Sequence, residues 1–154
     1  MFAAHISTDM KREQSVREHC RNTAELCAGY CKLFGAENIG RLSGLFHDIG
    51  KLCTDFDNYI RGISGFSRGE IDHSYAGAKY ITENSDKVHA NVARLIARVI
   101  ISHHGLHDWV DENCRDYFHI RIANDKNYEQ IKENISLIIS TDEFDEFIKK
   151  ADAE

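Results

Sequence analysis

Apolar residues recur at steps of three and four over most of the chain, which is the spacing of one face of an α-helix. Over residues 13–34 this face is formed by Val16, Cys20, Ala24, Cys27, Tyr30, Cys31 and Phe34. Gly35, a residue type that commonly ends helices, follows them. The same pattern predicts helices over residues 37–47, 54–60, 75–81, 88–102, 128–139 and 142–151. The chain is therefore predicted to be all-α, a bundle of about six to eight helices.

Polar and glycine-rich segments interrupt the helical pattern in two places. Near the N-terminus, Ser7, Thr8 and Asp9 are residue types that favour helix N-caps, so a helix is predicted to start there. Residues 62–72 contain three glycines and two serines, which predicts a long loop. This loop leads directly to His73, at the start of the next predicted helix.

The totals are those of one folded domain over residues 1–154. Hydrophobic residues make up 42% of the chain and charged residues 29%, which excludes a disordered chain. No apolar run is long enough to span a bilayer and the N-terminus lacks a signal-peptide pattern, so we expect a cytoplasmic protein without a membrane partner. The five cysteines form no C-x-x-C pair, which argues against a disulfide framework and predicts free thiols.

The formal net charge of −6 gives no overall attraction for nucleic acid. A chain of this charge that acts on DNA or RNA must hold the strand through local groups. The candidates are Lys51, Arg61 and Arg68 near the middle of the chain, and Arg94 and Arg98 on a later helix. For each of these residues taken singly, ordinary solvated surface charge is the simpler interpretation.

The stretch from Gly44 to Lys51 places a histidine and an aspartate side by side within an apolar run. Taking an imidazole and a carboxylate out of water costs free energy, so the pair His47-Asp48 needs a partner. A metal ion would suit both groups. The alternative is a helix C-terminus in which Gly50 is the C′ residue, Lys51 complements the helix dipole and His47 is a core histidine. For this stretch alone, both interpretations stay open.

Other histidines provide further candidates. His19 lies beside the apolar face of the first helix, His73 opens a helix after the polar loop, and His103-His104 ends the helix over residues 88–102. A single histidine at such a place is usually structural, and the helix dipole favours a histidine at a helix C-terminus. Two adjacent histidines, together with His73 and the central pair, are not explained in this way. We therefore expect six residues to converge at the centre of the bundle: His19, His47, Asp48, His73, His103 and His104.

Five imidazoles and one carboxylate suit a divalent transition metal such as Mn, Fe, Co, Ni or Zn, whereas Mg²⁺ fits less well because it prefers oxygen ligands. Six protein ligands are too many for one catalytic ion that must keep open positions, so two ions are expected. Two such ions stabilise the attacking and the leaving oxygens of a phosphoester displacement. Because Lys51 could neutralise the phosphate, Asp48 and Lys51 are the predicted catalytic residues.

The order and spacing of these residues resemble a known family over roughly residues 3–107. The matching pieces are Ala4-His5-Ile6, Gln14-Ser15-Val16-Arg17-Glu18-His19, Gly44-Leu45-Phe46-His47-Asp48-Ile49-Gly50-Lys51, Ile71-Asp72-His73-Ser74 with Ala76-Gly77-Ala78, and Ser102-His103-His104-Gly105-Leu106. The chain is similar to the HD superfamily of metal-dependent phosphohydrolases. It most resembles the HD nuclease domain of the type I CRISPR-associated helicase-nuclease.

The resemblance implies a metal-dependent nuclease that nicks and degrades single-stranded DNA in CRISPR interference. His19, His47 and Asp48 would hold one ion, and His73, His103 and His104 the other, with Asp48 bridging the two ions. The implied partners are single-stranded DNA, a helicase domain or subunit, and the CRISPR surveillance complex that opens the target.

One feature of the family is hard to place in this chain. The family closes its first metal site with an aspartate on a late helix, among small and apolar residues. Asp142 is the best candidate and Asp145 the next, but the pattern puts both on the exposed side of an amphipathic helix. We expect that the chain stops before the helix that carries this aspartate, as an excised domain or a fragment without a helicase motor. The first site would then lack a carboxylate, and the chain would bind metal weakly or cut poorly.

Two other functions are compatible with the same residues. One is an HD phosphohydrolase that acts on nucleotides. A pocket closed over a mononucleotide would favour it, whereas an open groove lined by Lys51, Arg61 and Arg68 would not. The other is a catalytically incomplete HD module that docks on a helicase or on a surveillance complex.

Overall fold

The computed structural model describes residues 1–63, 65–67, 69–105, 113 and 115–154. Its α-helices are α1 (Val16–Cys31), α2 (Glu37–Phe46), α3 (Thr54–Ile60), α4 (Tyr75–Asn84), α5 (Ala90–Ile101), α6 (Phe118–Ile122), α7 (Tyr128–Asn134) and α8 (Thr141–Asp152). Short 3-10 helices cover Lys32–Phe34, Ile49–Lys51 and Ile135–Leu137. The all-α prediction is confirmed, and α6 is the helix that the apolar pattern missed. Within the described part of the chain, none of the helices has the length and apolar character of a membrane span.

The N-terminus is a β-hairpin, so the helix predicted to start at Ser7-Thr8-Asp9 is wrong. Strand β1 (Ala3–Ile6) pairs antiparallel with strand β2 (Glu13–Ser15). The polar run forms the turn between them, where the Ser7 hydroxyl donates to Asp9 Oδ1 over 2.6 Å and the backbone of Met10 has a φ of 58°. Helix α1 begins only at Val16, where Ser15 Oγ accepts the backbone N–H of Glu18 over 3.1 Å.

The hydrophobic core joins the helices on both sides of the His47-Asp48 pair. Phe46, the residue just before the pair, has no exposed surface. Its ring stacks on Tyr80 of α4 at 5.5 Å and contacts Phe144 of α8 edge-on at 5.7 Å. Helix α8 therefore belongs to the core, and its inward residues Phe144 and Ile148 help to fix the end of α2.

Two glycines let backbone segments approach each other closely around the pair. A Cβ atom on Gly50 would lie 2.0 Å from the carbonyl oxygen of His73, and one on Gly77 would lie 2.0 Å from the carbonyl oxygen of Phe46. Gly50 lies inside the 3-10 helix Ile49–Lys51. Gly50 is therefore not the C′ residue that the alternative interpretation of this stretch required. Because it has no side chain, it leaves room for the segment that carries His73.

Candidate metal centre

The six expected residues come together from four places in the fold. His19 lies on α1, His47 and Asp48 directly follow α2, His73 lies just before α4, and His103 and His104 directly follow α5. Helix α2 packs against both α1 and α5, and the 3-10 helix after Asp48 contacts α4. The ends of buried helices thus carry most of the polar side chains to one point near the protein surface.

Asp48 is the centre of this cluster, with 4% of its surface exposed. Its Oδ2 atom lies 2.9 Å from His19 Nε2 and 3.2 Å from His47 Nε2. Its Oδ1 atom lies 3.4 Å from His73 Nε2 and 3.6 Å from His103 Nε2. The two carboxylate oxygens therefore face different histidines. We call His19, His47 and Oδ2 the first half of the centre, and His73, His103, His104 and Oδ1 the second half.

Backbone carbonyls orient two of the imidazoles. His47 Nδ1 lies 2.8 Å from the carbonyl oxygen of Gly44, and His103 Nδ1 lies 2.6 Å from that of Ile100. With Nδ1 held by a carbonyl in each ring, Nε2 is the nitrogen that faces Asp48, and it can bind a metal ion once it gives up its proton. The same arrangement is common for histidines that bind metal ions, because it fixes both the tautomer and the ring orientation.

The distances between ring nitrogens suit metal ligands. His19 Nε2 lies 3.0 Å from His47 Nε2, and His73 Nε2 lies 2.9 Å from His104 Nε2. Two nitrogens bound at about 2.1 Å and at right angles to one ion would be about 3.0 Å apart. In addition, Asp48 Oδ1 is buried and finds no hydrogen-bond partner among the described residues, and a buried acceptor of this kind costs free energy unless something binds it. These residues therefore fit divalent metal ions.

The electrostatics of the cluster also favour metal binding. Burial alone would raise the pKa of Asp48, but the imidazoles of His103, His19 and His47 around it lower that pKa well below its ordinary range. Burial lowers the pKa of His73 to about 4, and burial also lowers the pKa of His104. At neutral pH the carboxylate is ionised and these two imidazoles are neutral, which are the protonation states that bind a metal ion.

Lys51 lies beside the cluster with 6% of its surface exposed. Its Nζ atom lies 2.8 Å from Asp48 Oδ2 and 5.3 Å from the centre of the Phe56 ring. The lysine also lines a cavity of about 490 Å³ next to the histidines, together with Phe56, Tyr59, His73 and His104. Lys51 can therefore balance the charge of Asp48 and still reach a group bound in this cavity.

The other cations proposed as nucleic-acid contacts are arranged differently. Arg61 donates to Glu13 over 2.8 and 2.9 Å and to Asp57 over 3.0 Å, so it ties α3 to the hairpin rather than lining the cavity. Arg98 donates to Asp116 over 2.7 Å. Arg94 is exposed on α5, and Arg68 lies outside the described residues.

The late aspartate candidates do not join the cluster. Asp142 and Asp145 are exposed on α8, and among the described residues neither belongs to a group whose ligand atoms converge. The structure instead adds a candidate ligand that the sequence analysis did not include. His5 on β1 has a ring nitrogen that lies within 4.8 Å of ligand atoms of His19 and Asp48. The motif Ala4-His5-Ile6 is visible in the sequence, but a helix predicted from residue 7 does not show that the His5 side chain points to the cluster.

Residues 16–150 of the chain match the HD domain family. This range includes all six residues of the cluster. The chain belongs to the HD domain family. HD domains bind divalent metal ions, and family membership together with the cluster indicates a metal-dependent phosphohydrolase. The HD domain accounts for the helical fold, whereas the β-hairpin that carries His5 precedes the matched range. The comparison with curated proteins gives no match for the chain.

Proposed function

We propose that this HD domain is a two-metal phosphodiesterase that cleaves single-stranded DNA, as part of type I CRISPR interference. The observation that carries the proposal is the position of Asp48 between two groups of histidines, with one carboxylate oxygen towards each group. Two divalent ions held there would stabilise the attacking and the leaving oxygens of a phosphodiester. The finer assignment to CRISPR interference rests on the order of the motifs around His19, His47-Asp48, His73 and His103-His104.

In this proposal the chain's own residues bind the ions and position the phosphate. His19, His47 and Asp48 hold one ion, and His73, His103 and His104 with Asp48 hold the other. The cation of Lys51, which lines the cavity, neutralises part of the phosphate charge. The buried face of the cluster, formed by residues such as Phe46 and Ile49, excludes water from one side and strengthens these charge interactions.

The cavity beside the cluster supports a nucleic-acid or nucleotide substrate. It is about 490 Å³ in volume, and the aromatic residues Phe56 and Tyr59 form part of its wall. A nucleobase can pack on such side chains regardless of its sequence. His5 and His104 at the edge are exposed, so the cavity opens to solvent and a strand could continue beyond it.

The same cavity favours one alternative, hydrolysis of free nucleotides. Its volume lies within the range of about 300–1,000 Å³ that is common for small-molecule sites. Of the three cations of the groove that would favour a strand, Lys51 lines the cavity, Arg61 is bound to Glu13 and Asp57, and Arg68 lies outside the described residues. A strand would then be held mainly by the metal centre, Lys51 and the aromatic wall, together with a helicase that delivers it.

The test compares two classes of substrate under one set of conditions. Purified protein is incubated with an end-labelled single-stranded oligonucleotide or with a mixture of nucleoside triphosphates, in the presence of Mn²⁺, Co²⁺, Ni²⁺ or Mg²⁺. We expect cleavage of the oligonucleotide with the transition metals and little hydrolysis of the nucleotides. Hydrolysis of nucleotides without cleavage of the oligonucleotide would replace the nuclease proposal with the alternative.

Matched variants show whether the activity belongs to this site. Loss of a residue that only supports a metal ligand costs about 10–100-fold in activity, so His47→Ala should cost roughly a hundredfold or more. His119→Ala is the control, because His119 is exposed on α6 and belongs to neither half of the centre. Equal activity of His47→Ala and the wild type would place the nuclease activity elsewhere.

A further inference from the structure

Among the described residues, the first half of the centre has fewer ligands than the second. His19, His47 and Asp48 offer two imidazoles and one oxygen of the shared carboxylate, whereas the second half has three histidines and the other oxygen. In the part of the chain that the structure describes, no second aspartate joins the cluster, and the candidates Asp142 and Asp145 are exposed on α8. If two ions bind, another group is expected on the side of the cluster next to His19.

His5 lies on that side. Its ring and the ring of His19 are 4.7 Å apart and nearly perpendicular, at 77°. One ring nitrogen of His5 and ligand atoms of His19 and Asp48 all lie within 4.8 Å of one another. His5 also lines the cavity shared with Lys51, His73 and His104, so its side chain reaches the space in which the substrate is proposed to bind.

An irregularity in the pairing of the hairpin orients the His5 side chain towards His19 and Asp48. Ala3 pairs with Ser15 and His5 pairs with Gln14, so strand β1 has one extra residue between these two pairs. As a result Ala3 and Ala4 are both buried, with 0% and 1% exposure, instead of pointing to opposite sides of the strand. Such bulges re-aim the side chains beside them.

The hairpin is also fixed to the rest of the domain. The backbone N–H of Ala3 donates to Asp57 Oδ1 over 3.0 Å, and that of Val16 donates to the carbonyl of Phe2 over 2.9 Å. Arg61 connects Asp57 to Glu13 on β2. His5 is therefore held by a strand that is anchored at both edges, which is what a metal ligand requires.

We propose that His5 is a ligand of the first metal ion, together with His19, His47 and Asp48. This inference rests on the proposed function, because it completes the same two-metal site. It extends that site to a strand that precedes the range matched by the HD domain family. Four protein ligands are enough to hold a transition metal ion.

The first experiment titrates Co²⁺ into chelator-stripped protein and follows the heat of binding. We expect two binding events for the wild type. In His5→Ala, one of them should weaken tenfold or more while the other stays within twofold of the wild type. His119→Ala should match the wild type, and a melting curve of His5→Ala should show that this variant, altered at an exposed side chain, still folds.

The second experiment asks whether His5 touches the ion. In Co²⁺-loaded protein, the ring protons of coordinating histidines are shifted far outside the usual range of the proton spectrum. His5→Ala should remove one set of these signals and leave the others, whereas a purely structural role would remove none.

The possible outcomes separate the two proposals. Two Co²⁺ ions bound with unchanged affinities in His5→Ala, and an unchanged set of shifted signals, would overturn the role of His5 and leave the two-metal site intact. A wild-type protein that binds no Co²⁺ would overturn the proposed function itself, and the role of His5 with it.

Discussion

The two halves of the metal centre are built on different supports. In the second half, His73 and His103 are attached to the buried helices α4 and α5, and His103 is fixed by a carbonyl at 2.6 Å. In the first half, His19 lies on α1 and His47 directly follows α2, but His5 is exposed on a two-stranded hairpin, of which Ala4 belongs to the core. A two-stranded hairpin alone is only marginally stable, so the first half depends on the contacts that anchor the strand. The comparison predicts that the second half is pre-formed, whereas the first half can adjust with the hairpin.

The largest effect is expected at the residue that the halves share. Asp48→Asn should abolish binding of both ions and reduce activity by roughly a hundredfold or more. It should also destabilise the fold by about 3 kcal/mol, because Lys51 is left buried without its carboxylate partner. Calorimetry with Mn²⁺ and urea unfolding measure the two effects.

A double variant separates these two consequences. Asp48→Asn combined with Lys51→Met removes both buried charges, so most of the lost stability should return while metal binding stays absent. Recovery of metal binding in the double variant would show that Asp48 is not the shared ligand.

The next effect concerns the second half alone. Gly50→Ala puts a methyl group where the His73 carbonyl lies, 2.0 Å away, so the segment that carries His73 must shift. We expect a loss of about 1–3 kcal/mol in stability, as for overpacking elsewhere, and weaker binding of one ion. Gly29→Ala is the control. A Cβ there meets nothing within 4 Å, and the change should stabilise α1 by about 0.5–1 kcal/mol. Equal unfolding midpoints for the two variants would contradict the close approach.

A smaller effect should be confined to the first half. Arg61→Gln removes the ion pairs that tie the hairpin to α3, so His5 should be held less firmly. We expect the first ion to bind roughly threefold more weakly and the second ion to be unaffected, because these are solvent-exposed pairs. Lys150→Gln, which removes an exposed ion pair with Glu146 on α8, is the control. Equal weakening of both ions would mean that the hairpin does not serve one half in particular.

The smallest effect is expected from a variant that changes the stability slightly and leaves both halves of the centre unchanged. Arg21 donates to Glu143 over 2.5 and 2.8 Å, and this bond lowers the pKa of Glu143 below its ordinary value of 4.5. Because the folded pKa is the lower one, the stabilisation is complete above pH 4.5 and is lost as the pH falls through the folded value. Both side chains are about one-third exposed, so Arg21→Gln should cost about 0.5 kcal/mol at pH 7 and less at pH 3, with metal affinities unchanged. Urea unfolding at both pH values measures this difference.

Most of the helical fold and the six clustered residues could be predicted from the sequence. Apolar spacing identifies long helices, and an apolar run that contains His47 and Asp48 signals a polar group at the core. The hairpin could not be predicted in this way, because its strands are only four and three residues long and Ser7-Thr8-Asp9 suits a turn as well as a helix N-cap.

The long-range contacts of the site could not be predicted from the sequence either. Nothing in the order of residues shows that Gly50 packs on the His73 carbonyl, or that Arg61 binds Glu13 and Asp57 instead of a phosphate. The direction of His5 depends on a bulge in β1, which is set by the pairing of two strands and the burial of Ala3 and Ala4. Such features follow from tertiary packing rather than from local pattern.

The most direct test of the central claim counts metal ions in the intact protein. Native mass spectrometry after equilibration with Mn²⁺ or Co²⁺ gives the number bound per chain for the wild type and for Asp48→Asn. We expect two ions in the wild type and none in the variant. One ion or none in the wild type, or two ions in Asp48→Asn, would contradict a two-metal centre held together by Asp48.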